Sequence, residues 1–429
     1  MSDTTNRGNN REAIQLDMLE FLVSPQVQVT ATQLAHLNFP DDATNALLTL
    51  RKQYTPEQAG ALLALVRLRQ NAQEKFPDAA RLYFTQDALE QATAYPIAAY
   101  RAEKLHKLAP PGAILDLGSG IGGDTLALAR RRHVHAFEQD PLRCALLRAN
   151  VTALGLDAQI TVHNADWYSA LADDRLPPAV GAFLDPPRRA EGRRLMRLGQ
   201  ILPTWAPIRA LLSRVGRVCL KLMPGIDDAE IPADAAVEFI SHAGVCKESN
   251  LWLGLDIRES AGQETGGRQA SVPARLAAVH TAENWHTLAA SGRQPPIGPL
   301  EAGQVLYEPD PAVIRAGPFD ELCRDLNLHL FDAQIAYLMS NTPGAKPVAT
   351  PFATVFQIEE VHPYALKLLN ARVQALGIGT VELKKRGVPF APESLRGRIK
   401  LVSGGRAAVV FFTRRGNTRL MLIAHRISA

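Results

Sequence analysis

The sequence predicts an α/β protein in which a largely parallel sheet is flanked by a helical domain and by a mixed α+β domain. Three observations support this. Short apolar segments alternate with helical segments from Gly112 onward, a helical stretch precedes them, and a Pro- and Gly-rich linker follows them at Ser291–Pro299. A chain of 429 residues is also too long for one ordinary core. We therefore expect a helical domain at residues 1–78, an α/β domain at 79–290 and an α+β domain at 300–429.

The first predicted domain consists of helices. Thr55–Gln58 combines a threonine N-cap, a proline at the first helical position and a glutamine at the third, which is the pattern of a helix start. Leu62, Leu65 and Val66 follow as part of an apolar face. No residue pattern in this stretch indicates chemistry, so we interpret it as an accessory domain.

The middle of the chain alternates between strands and helices. A helix is predicted at Pro141–Leu154, because Asp140 is a suitable N-cap and Pro141 stands at the first helical position. Alternation of this kind is typical of a parallel sheet with helices on both faces. The predicted strands are Ala113–Leu117, Val134–Phe137, Gln159–Val162, Val180–Leu184 and Arg217–Leu222, with further candidates at Phe239–Ser241, Ser249–Leu253 and Arg275–His280.

The last domain is predicted to end in a β-hairpin and carries most of the positive charge. Ala407–Thr413 and Thr418–Ala424 are strand-like and meet at a Gly-Asn turn. From Thr380 to Ala429, eleven Lys and Arg residues stand against two Glu residues, a net charge of +9, whereas the whole chain carries only +4. A basic end on an acidic body is expected of a module that binds a polyanion, although an arginine-rich solvated surface has the same composition.

Composition limits the classes of protein that need to be considered. Hydrophobic residues make up 46% of the chain and charged residues 21%, and no apolar run is long enough to span a bilayer. No signal peptide is recognisable at the N-terminus, and the four cysteines lack the paired spacing of a metal site. We expect a cytoplasmic protein with no membrane partner and no metal.

The strongest chemical signal is a glycine-rich turn after the first predicted strand. Asp116 ends that strand, and Gly118, Gly120 and Gly122 follow before a helix begins. Glycines allow the backbone to pass close to a ligand and to adopt positive φ. Glu138 ends the next strand, at the place where a carboxylate binds ribose hydroxyls in nicotinamide and S-adenosylmethionine (SAM) sites alike.

Two later motifs separate these two kinds of site. Asp166 follows the third strand, where SAM enzymes commonly hold the adenine. Asp185-Pro186-Pro187-Arg188 follows the fourth strand, and nicotinamide dehydrogenases have no use for such a motif. The combination therefore favours SAM over a dinucleotide.

As a set, these motifs resemble those of class I SAM-dependent methyltransferases with a Rossmann-like sheet. More specifically, the chain is similar to bacterial methyltransferases with a C-terminal THUMP-like domain, through Leu306–Pro311, Ile314–Gly317 and Glu382–Gly387. The resemblance implies SAM as cofactor and RNA as substrate, because THUMP domains accompany tRNA- and rRNA-modifying enzymes. It further implies that the three glycines and Asp116 line the methionine end of SAM, that Glu138 binds the ribose and that Asp166 approaches the adenine.

The same resemblance suggests two further roles. Phe84 and Thr85 fall where trimethylguanosine synthases place a segment that closes over the cofactor. Those enzymes also carry a proline pair after the fourth strand, as Pro186 and Pro187 do here.

The Asp-Pro-Pro motif is the candidate catalytic element. The Asp185 carboxylate and the Pro186 carbonyl are suited to accept hydrogen bonds from an exocyclic amine, and prolines hold such acceptors rigidly. Amino-methylating enzymes usually place an aromatic residue after the motif, but this chain has Arg188, which leaves the target atom open. A rigid strand-to-loop turn would have the same sequence.

Covalent catalysis is the rival mechanism. The Asp-Pro-Pro-Arg sequence also resembles the 5-methyluridine methyltransferases, which use a cysteine after the fifth strand. Cys219 lies near that position, but its surroundings do not match that family's cysteine loop, and a buried free cysteine explains it as well.

Phosphate contacts are expected from two groups of basic residues. One group directly follows the Asp-Pro-Pro motif, and the other lies in the basic C-terminal segment. They are Arg189 and Arg193 in the first group, and Lys384, Lys385, Arg386, Arg414 and Arg415 in the second.

The sequence therefore predicts a SAM-dependent methyltransferase that acts on a base in structured RNA, tRNA or rRNA. Two alternatives remain open. One is a methyltransferase with a protein or small-molecule acceptor, and the other is a SAM- and RNA-binding protein without turnover.

Overall fold

The computed structural model describes residues 16–186, 189–190, 193–194, 205–258, 271–282 and 284–427. The chain forms two compact units. The first unit comprises Met1–Glu230 with Leu251–Leu255, and the second comprises Ile231–Asn250 with Asp256–Ala429. The three-domain division stays a prediction.

Helices form the beginning of the first unit. Residues 16–23 are helical, and three helices follow: α1 (Pro25–Gln33), α2 (Ala43–Leu50) and α3 (Pro56–Ala72). The predicted start of α3 is confirmed, because the Thr55 hydroxyl accepts the backbone N–H of Gln58 and the Gln58 side chain accepts that of Thr55, both at 3.2 Å. An apolar cluster that includes Val27, Leu50, Leu62 and Val66 holds these helices together.

The α/β part of the first unit begins with two helices, α4 (Gln86–Gln91) and α5 (Tyr95–Leu108). Strands and helices then alternate as the sequence predicts. In chain order they are β1 (Ile114–Leu117), α6 (Thr125–Ala129), β2 (Val134–Glu138), α7 (Pro141–Leu154), β3 (Ile160–Asn164), α8 (Trp167–Ala172), β4 (Gly181–Leu184), the two-residue strands β5 (Arg189–Ala190) and β6 (Arg193–Arg194), α9 (Ala206–Val215) and β7 (Val218–Leu222).

In the described part of this unit, parallel strands run in the order β7-β4-β1-β2-β3. The chain moves from β1 to β2 and β3 on one side and then crosses back to β4 and β7 on the other. A parallel sheet opens a crevice at the carboxyl ends of its strands where the strand order reverses, which here is between β1 and β4. The topology therefore fixes where a ligand site is expected.

The second unit begins with strands, three of which contain the candidates that the sequence predicts at Phe239–Ser241, Ser249–Leu253 and Arg275–His280. They are β8 (Ala235–His242), β9 (Val245–Leu253, which the division between the units crosses), β10 (Asp256–Arg258), β11 (Ser271–Pro273), β12 (Arg275–Thr281) and β13 (Asn284–Ala289). Strand β12 pairs in parallel with β8 and antiparallel with β13.

The rest of the second unit is a mixed α+β structure, as predicted. Its seven-stranded sheet has the order β15-β16-β14-β17-β20-β19-β18. The elements in chain order are β14 (Val305–Pro309), α10 (Pro311–Ala316), α11 (Phe319–Leu326), β15 (Leu328–Leu330), β16 (Leu338–Ser340), β17 (Ala353–Pro363), α12 (Leu366–Ala375), β18 (Ile378–Lys385), β19 (Arg406–Arg415) and β20 (Thr418–Arg426).

Both faces of this sheet are buried. Because side chains alternate along a strand, Phe411 and Phe412 of β19 point to opposite faces and enter separate apolar clusters. Phe412 packs in the cluster that contains Leu369 and Val373 of α12. The predicted hairpin is confirmed as β19 and β20, which pair from Val409 with Ala424 to Arg415 with Thr418.

Candidate active site

A cavity of about 510 Å³ lies in the first unit, at the carboxyl ends of β1 and β4. Three segments line it, at residues 88–93, 116–124 and 183–186, together with Arg143. Its volume is in the range of small-molecule and cofactor sites. It lies at the point where the strand order reverses, as the topology predicts.

The glycine loop forms one wall of this cavity. Gly118 has φ +89° and is anchored by its N–H to the carbonyl of Phe137, 3.0 Å away. A Cβ at Gly118 would lie 2.6 Å from the carbonyl oxygen of Asp185, so only glycine allows the loop to pack against the Asp-Pro-Pro segment. Gly120 (φ +57°) faces open space on the side where a Cβ would stand. Both residues line the cavity, as expected of residues that a cofactor approaches closely.

Gly122 packs against α7, and its contact with SAM stays a prediction. It is not among the residues that line the cavity. A Cβ there would lie 2.7 Å from a methyl group of Leu147, so its small size serves the packing of the loop on α7.

Asp116 contributes a carboxyl group to the cavity. It is fully buried, and its Oδ2 accepts a hydrogen bond from the Thr125 hydroxyl. Its Oδ1 has no hydrogen-bond partner in the described part of the chain. Burial, reinforced by the neighbouring Asp124 carboxylate, raises the pKa of Asp116 to about 7. An α-ammonium group would satisfy this orphaned oxygen, so together with the open glycine loop the cavity fits the amino-acid end of SAM.

We expect the affinity for SAM to rise with pH between about 5.5 and 7. Asp116 holds a proton below pH 7 in the free protein, and pairing with an ammonium group requires that proton to leave, so binding weakens as pH falls. The limiting slope is about tenfold per pH unit. This range lies below the pKa of an α-amino group, about 7.7–8.0, so the ligand itself does not titrate. Calorimetry on the wild type and on Asp116→Asn measures the effect.

The Asp116→Asn variant is the control for this experiment. It carries no titrating group at this position, so its affinity for SAM should be lower than that of the wild type and should not change with pH over the same range. An equal slope in both proteins would contradict the assignment of the titration to Asp116.

Glu138 and Asp166 hold the backbone beside the cavity. The two carboxylate oxygens of Glu138 accept the N–H groups of Gly120 (2.8 Å) and Asp140 (2.9 Å), which leaves lone pairs for further donors such as ribose hydroxyls. Asp166 caps α8 by accepting the N–H groups of Tyr168 (3.2 Å) and Ser169 (3.1 Å). Neither residue lines the cavity itself, and their contacts to SAM stay predictions.

Phe84 and Thr85 support the cavity wall indirectly. Phe84 is buried against Phe76, with ring centroids 5.5 Å apart, and the Thr85 hydroxyl caps α4 by accepting the N–H of Ala88. The wall itself is the following segment, 88–93. Lys75 holds that segment in place by donating to the carbonyls of Leu89, Glu90 and Ala92 at 2.8, 3.1 and 3.3 Å.

Asp185 is the candidate acceptor-binding group, and it is held by a lysine. Asp185 and Pro186 line the cavity, and the Asp185 side chain is 24% exposed. Its Oδ2 accepts a hydrogen bond of 2.6 Å from the ammonium of Lys221, a residue of β7. Pro187 and Arg188 lie outside the described residues.

A buried network of hydrogen bonds continues from Lys221 to the glycine loop. Lys221 also donates to the Thr93 hydroxyl (2.8 Å), and this hydroxyl donates to Asp124 Oδ2 (2.7 Å). Arg101 forms an ion pair with the other oxygen of Asp124 and lies over the Phe183 ring at 4.4 Å. This network therefore connects the end of the glycine loop to the Asp-Pro-Pro segment.

The sequence motifs do not reveal this hydrogen-bonded network, although the sequence contains one signal for it. Lys221 stands in the apolar run of β7, and a charged residue in a buried strand requires a partner. The sequence does not reveal which acid that partner is.

The basic residues of the second unit are only partly available at the surface. Lys384 forms an ion pair with Glu308 (2.6 Å), and Arg386 donates to the carbonyl of Ala336 (2.6 Å). Lys385 and Arg415 are exposed. Arg414 lies 3.9 Å from Asp332, and its side chain is 27% exposed. The side chains of Arg189 and Arg193 lie outside the described residues. Phosphate contacts of all seven residues stay predictions.

Three remaining expectations concern cysteine chemistry, metals and membranes. Cys219 is fully buried in β7 and is not among the residues that line the cavity. Within the described ranges, no cluster of three or more His, Cys, Asp or Glu side chains is arranged to hold a metal ion. Among the helices that the structure describes, none combines the length and the apolar character needed to cross a membrane.

Comparison with known proteins agrees with this geometry. A family described as RNA cap guanine-N2 methyltransferase matches residues 112–188, and a THUMP domain-like family matches residues 353–426. An uncharacterized SAM-dependent methyltransferase from two strains of Mycobacterium tuberculosis is 31% identical over 344 residues, which cover 78% of this chain and 85% of the relative.

A crystal structure from Porphyromonas gingivalis, assigned as a methyltransferase, has the same fold. It has a TM-score of 0.70 at 19% identity and covers 94% of this chain and 98% of the other. The predicted fold class, enzyme class and cofactor are confirmed. The chain belongs to the SAM-dependent methyltransferases that carry a C-terminal THUMP-like domain.

Proposed function

We propose that this methyltransferase acts on a base in structured RNA, tRNA or rRNA, at an amine that Asp185 orients. The observation that carries the proposal is the position of Asp185. A partly exposed carboxylate faces the same cavity as the glycine loop, which supports a role for it in binding the methyl acceptor beside the site that fits the methyl donor.

The chemistry requires positioning more than covalent assistance. When bound, SAM supplies a methyl group on a sulfonium, and the sulfur keeps the bonding electrons as the acceptor nitrogen takes the methyl carbon. Asp185 accepts a hydrogen bond from the acceptor N–H, which aims the nitrogen lone pair, and the same carboxylate can receive the proton that the product releases. The matched family is described as methylating N2 of guanine, which is an exocyclic amine, and this agrees with such a role.

The second unit supports RNA as the carrier of the base. Lys385, Arg415 and Arg419 are exposed and lie at one end of neighbouring strands, since Lys385 pairs with Phe412 and Arg414 with Arg419 in the sheet. Exposed cations grouped at one edge provide phosphate contacts that give affinity without reading sequence.

We expect the protein to transfer labelled methyl groups from SAM to RNA isolated from cells that lack the gene. Nucleoside mass spectrometry should then find an N-methylated base.

Replacing Lys385, Arg415 and Arg419 by alanine should raise KM for RNA and reduce the log–log salt slope of RNA binding by about 2, roughly 0.7 for each phosphate that the protein no longer neutralises. SAM affinity should stay the same.

Arg396→Ala is the matched control, because Arg396 is exposed in the same basic segment but is already paired with Glu393 at 2.7 Å. It should leave the salt slope unchanged. Label in a protein or small-molecule fraction, with none in RNA, would refute the proposal in favour of another acceptor. Absence of label in every fraction would favour a SAM-binding protein without turnover.

A further inference from the structure

Lys221 is a charged residue in a position that normally holds an apolar one. It lies within β7, where every residue is buried, and it is itself only 4% exposed. Burial of an ammonium group is costly unless it is paired. Since strand neighbours such as Leu220 and Leu222 contribute packing alone, the function of this lysine must be sought in its polar contacts.

Those contacts belong to two ion pairs beside the cavity. Lys221 compensates Asp185, and Arg101 compensates Asp124. Oδ1 of Asp116 has no hydrogen-bond partner among the described residues, and it lies where the amino-acid end of SAM fits. The Asp185 carboxylate is therefore paired with a cation before any substrate binds, whereas Oδ1 of Asp116 is left for a ligand.

We propose that Lys221 is a positioning residue that neutralises and orients Asp185, and that it thereby restricts the methyl acceptor to neutral amines such as the exocyclic amines of nucleobases. This inference rests on the proposed role of Asp185 toward the acceptor. The hydrogen bond from Lys221 engages Oδ2 of Asp185, and no partner of Oδ1 is found among the described residues, so Oδ1 can accept from a neutral N–H donor.

The selectivity follows from charge. Aliphatic amines of proteins and metabolites are protonated at neutral pH, because their pKa is about 10.4, and a protonated amine has no lone pair to receive a methyl group. A lone carboxylate in a cavity would attract such ammonium ions. With the Lys221 ammonium already on Asp185, a second cation is repelled, whereas a neutral nucleobase amine is not.

The first test measures ligand affinity and needs no acceptor. SAM carries a sulfonium charge and S-adenosylhomocysteine does not, so the ratio of their affinities reports the charge near the methyl group. In Lys221→Met the uncompensated Asp185 should shift this ratio toward SAM by roughly five- to tenfold, and Asp185→Asn should shift it in the opposite direction. The double variant, which lacks both charges, should return to near the wild-type ratio.

The double variant also guards against a folding artefact, because removing both members of a buried pair is tolerated better than removing one. If Lys221→Met is too unstable to assay, the double variant and Asp185→Asn still give the comparison. A structural role for Lys221 alone would lower both affinities equally and leave the ratio unchanged, which would overturn the proposal.

The second test is chemical rescue. Lys221→Ala leaves space for methylammonium, and added methylammonium should restore part of the missing kcat for RNA with little change in KM.

If RNA is not methylated while the affinity ratio shifts as expected, the proposed function fails and charge compensation by Lys221 stands. If RNA is methylated while the ratio and the rescue are both absent, the role assigned to Lys221 fails.

Discussion

Replacement of Asp185 by asparagine is expected to lower kcat by about two to four orders of magnitude, the range seen when an acid–base or orienting group is removed. Asparagine keeps an oxygen that accepts the 2.6 Å hydrogen bond from Lys221, so the cavity should keep its shape. SAM affinity should fall by less than about tenfold, because the carboxylate acts mainly on the methyl acceptor. Single-turnover kinetics and calorimetry on the same preparations separate the two effects.

Alanine is a poorer probe at this position. Asp185→Ala would leave the buried ammonium of Lys221 with neither the acid nor a replacement acceptor oxygen, and breaking a buried ion pair in this way costs about 3–5 kcal/mol. Asp173→Asn is the matched control, because Asp173 is 59% exposed and pairs with Arg175 two residues away. Cys219→Ala should remain active. Loss of turnover in that variant, with Asp185→Asn unaffected, would require covalent attack on a ring carbon instead.

Gly118→Ala is expected to abolish SAM binding and to destabilise the first unit. The new methyl group would stand 2.6 Å from the Asp185 carbonyl oxygen, which is backbone and cannot rotate away. The residue would also be held at φ +89°, which adds about 1–3 kcal/mol of strain. We expect SAM affinity to fall by more than about a hundredfold, together with a lower Tm. Thermal unfolding with and without SAM measures both.

Two further glycines provide the controls. Gly225→Ala introduces a methyl group with nothing within 4 Å and should change neither property. Gly120→Ala also meets nothing within 4 Å, so the fold should tolerate it at about 1 kcal/mol for its positive φ. Because Gly120 lines the cavity, this variant should still lose SAM affinity. Normal SAM binding by Gly120→Ala would show that the cofactor does not approach this part of the loop.

Local patterns in the sequence determined the elements and the cofactor loop. Some signals act over only a few residues, so the local structure that they produce can be predicted without knowing the fold. Examples are the capping box at Thr55, the N-cap at Asp140 and the glycines after Asp116. The alternation of strands and helices likewise indicates a parallel sheet, because parallel neighbours need a long crossover connection, which is usually a helix. Asp116 and Asp185 were both identifiable, since Asp116 stands near the end of one predicted strand and Asp185 directly follows another, at the edge where ligands bind.

Only the tertiary structure decided which side chains meet. Thr93 and Lys221 are 128 residues apart, and they touch because the β7-β4-β1 order brings the end of β7 beside the cavity. Hydrophobic periodicity indicates that β7 is buried but not which strands lie beside it, so the partner of Lys221 could not be read from the sequence.

Long-range packing also decided the contacts of the basic segment and of Gly122, the third glycine of the loop. The segment's net charge of +9 is a property of composition, but Lys384 and Arg386 are engaged by Glu308 and by the Ala336 carbonyl, which reach them only through sheet pairing and packing. Gly122 fits the motif in sequence, yet its neighbour is Leu147 of α7. Spacing along the chain determined the residue types of the site, and long-range packing decided which of them face the cavity.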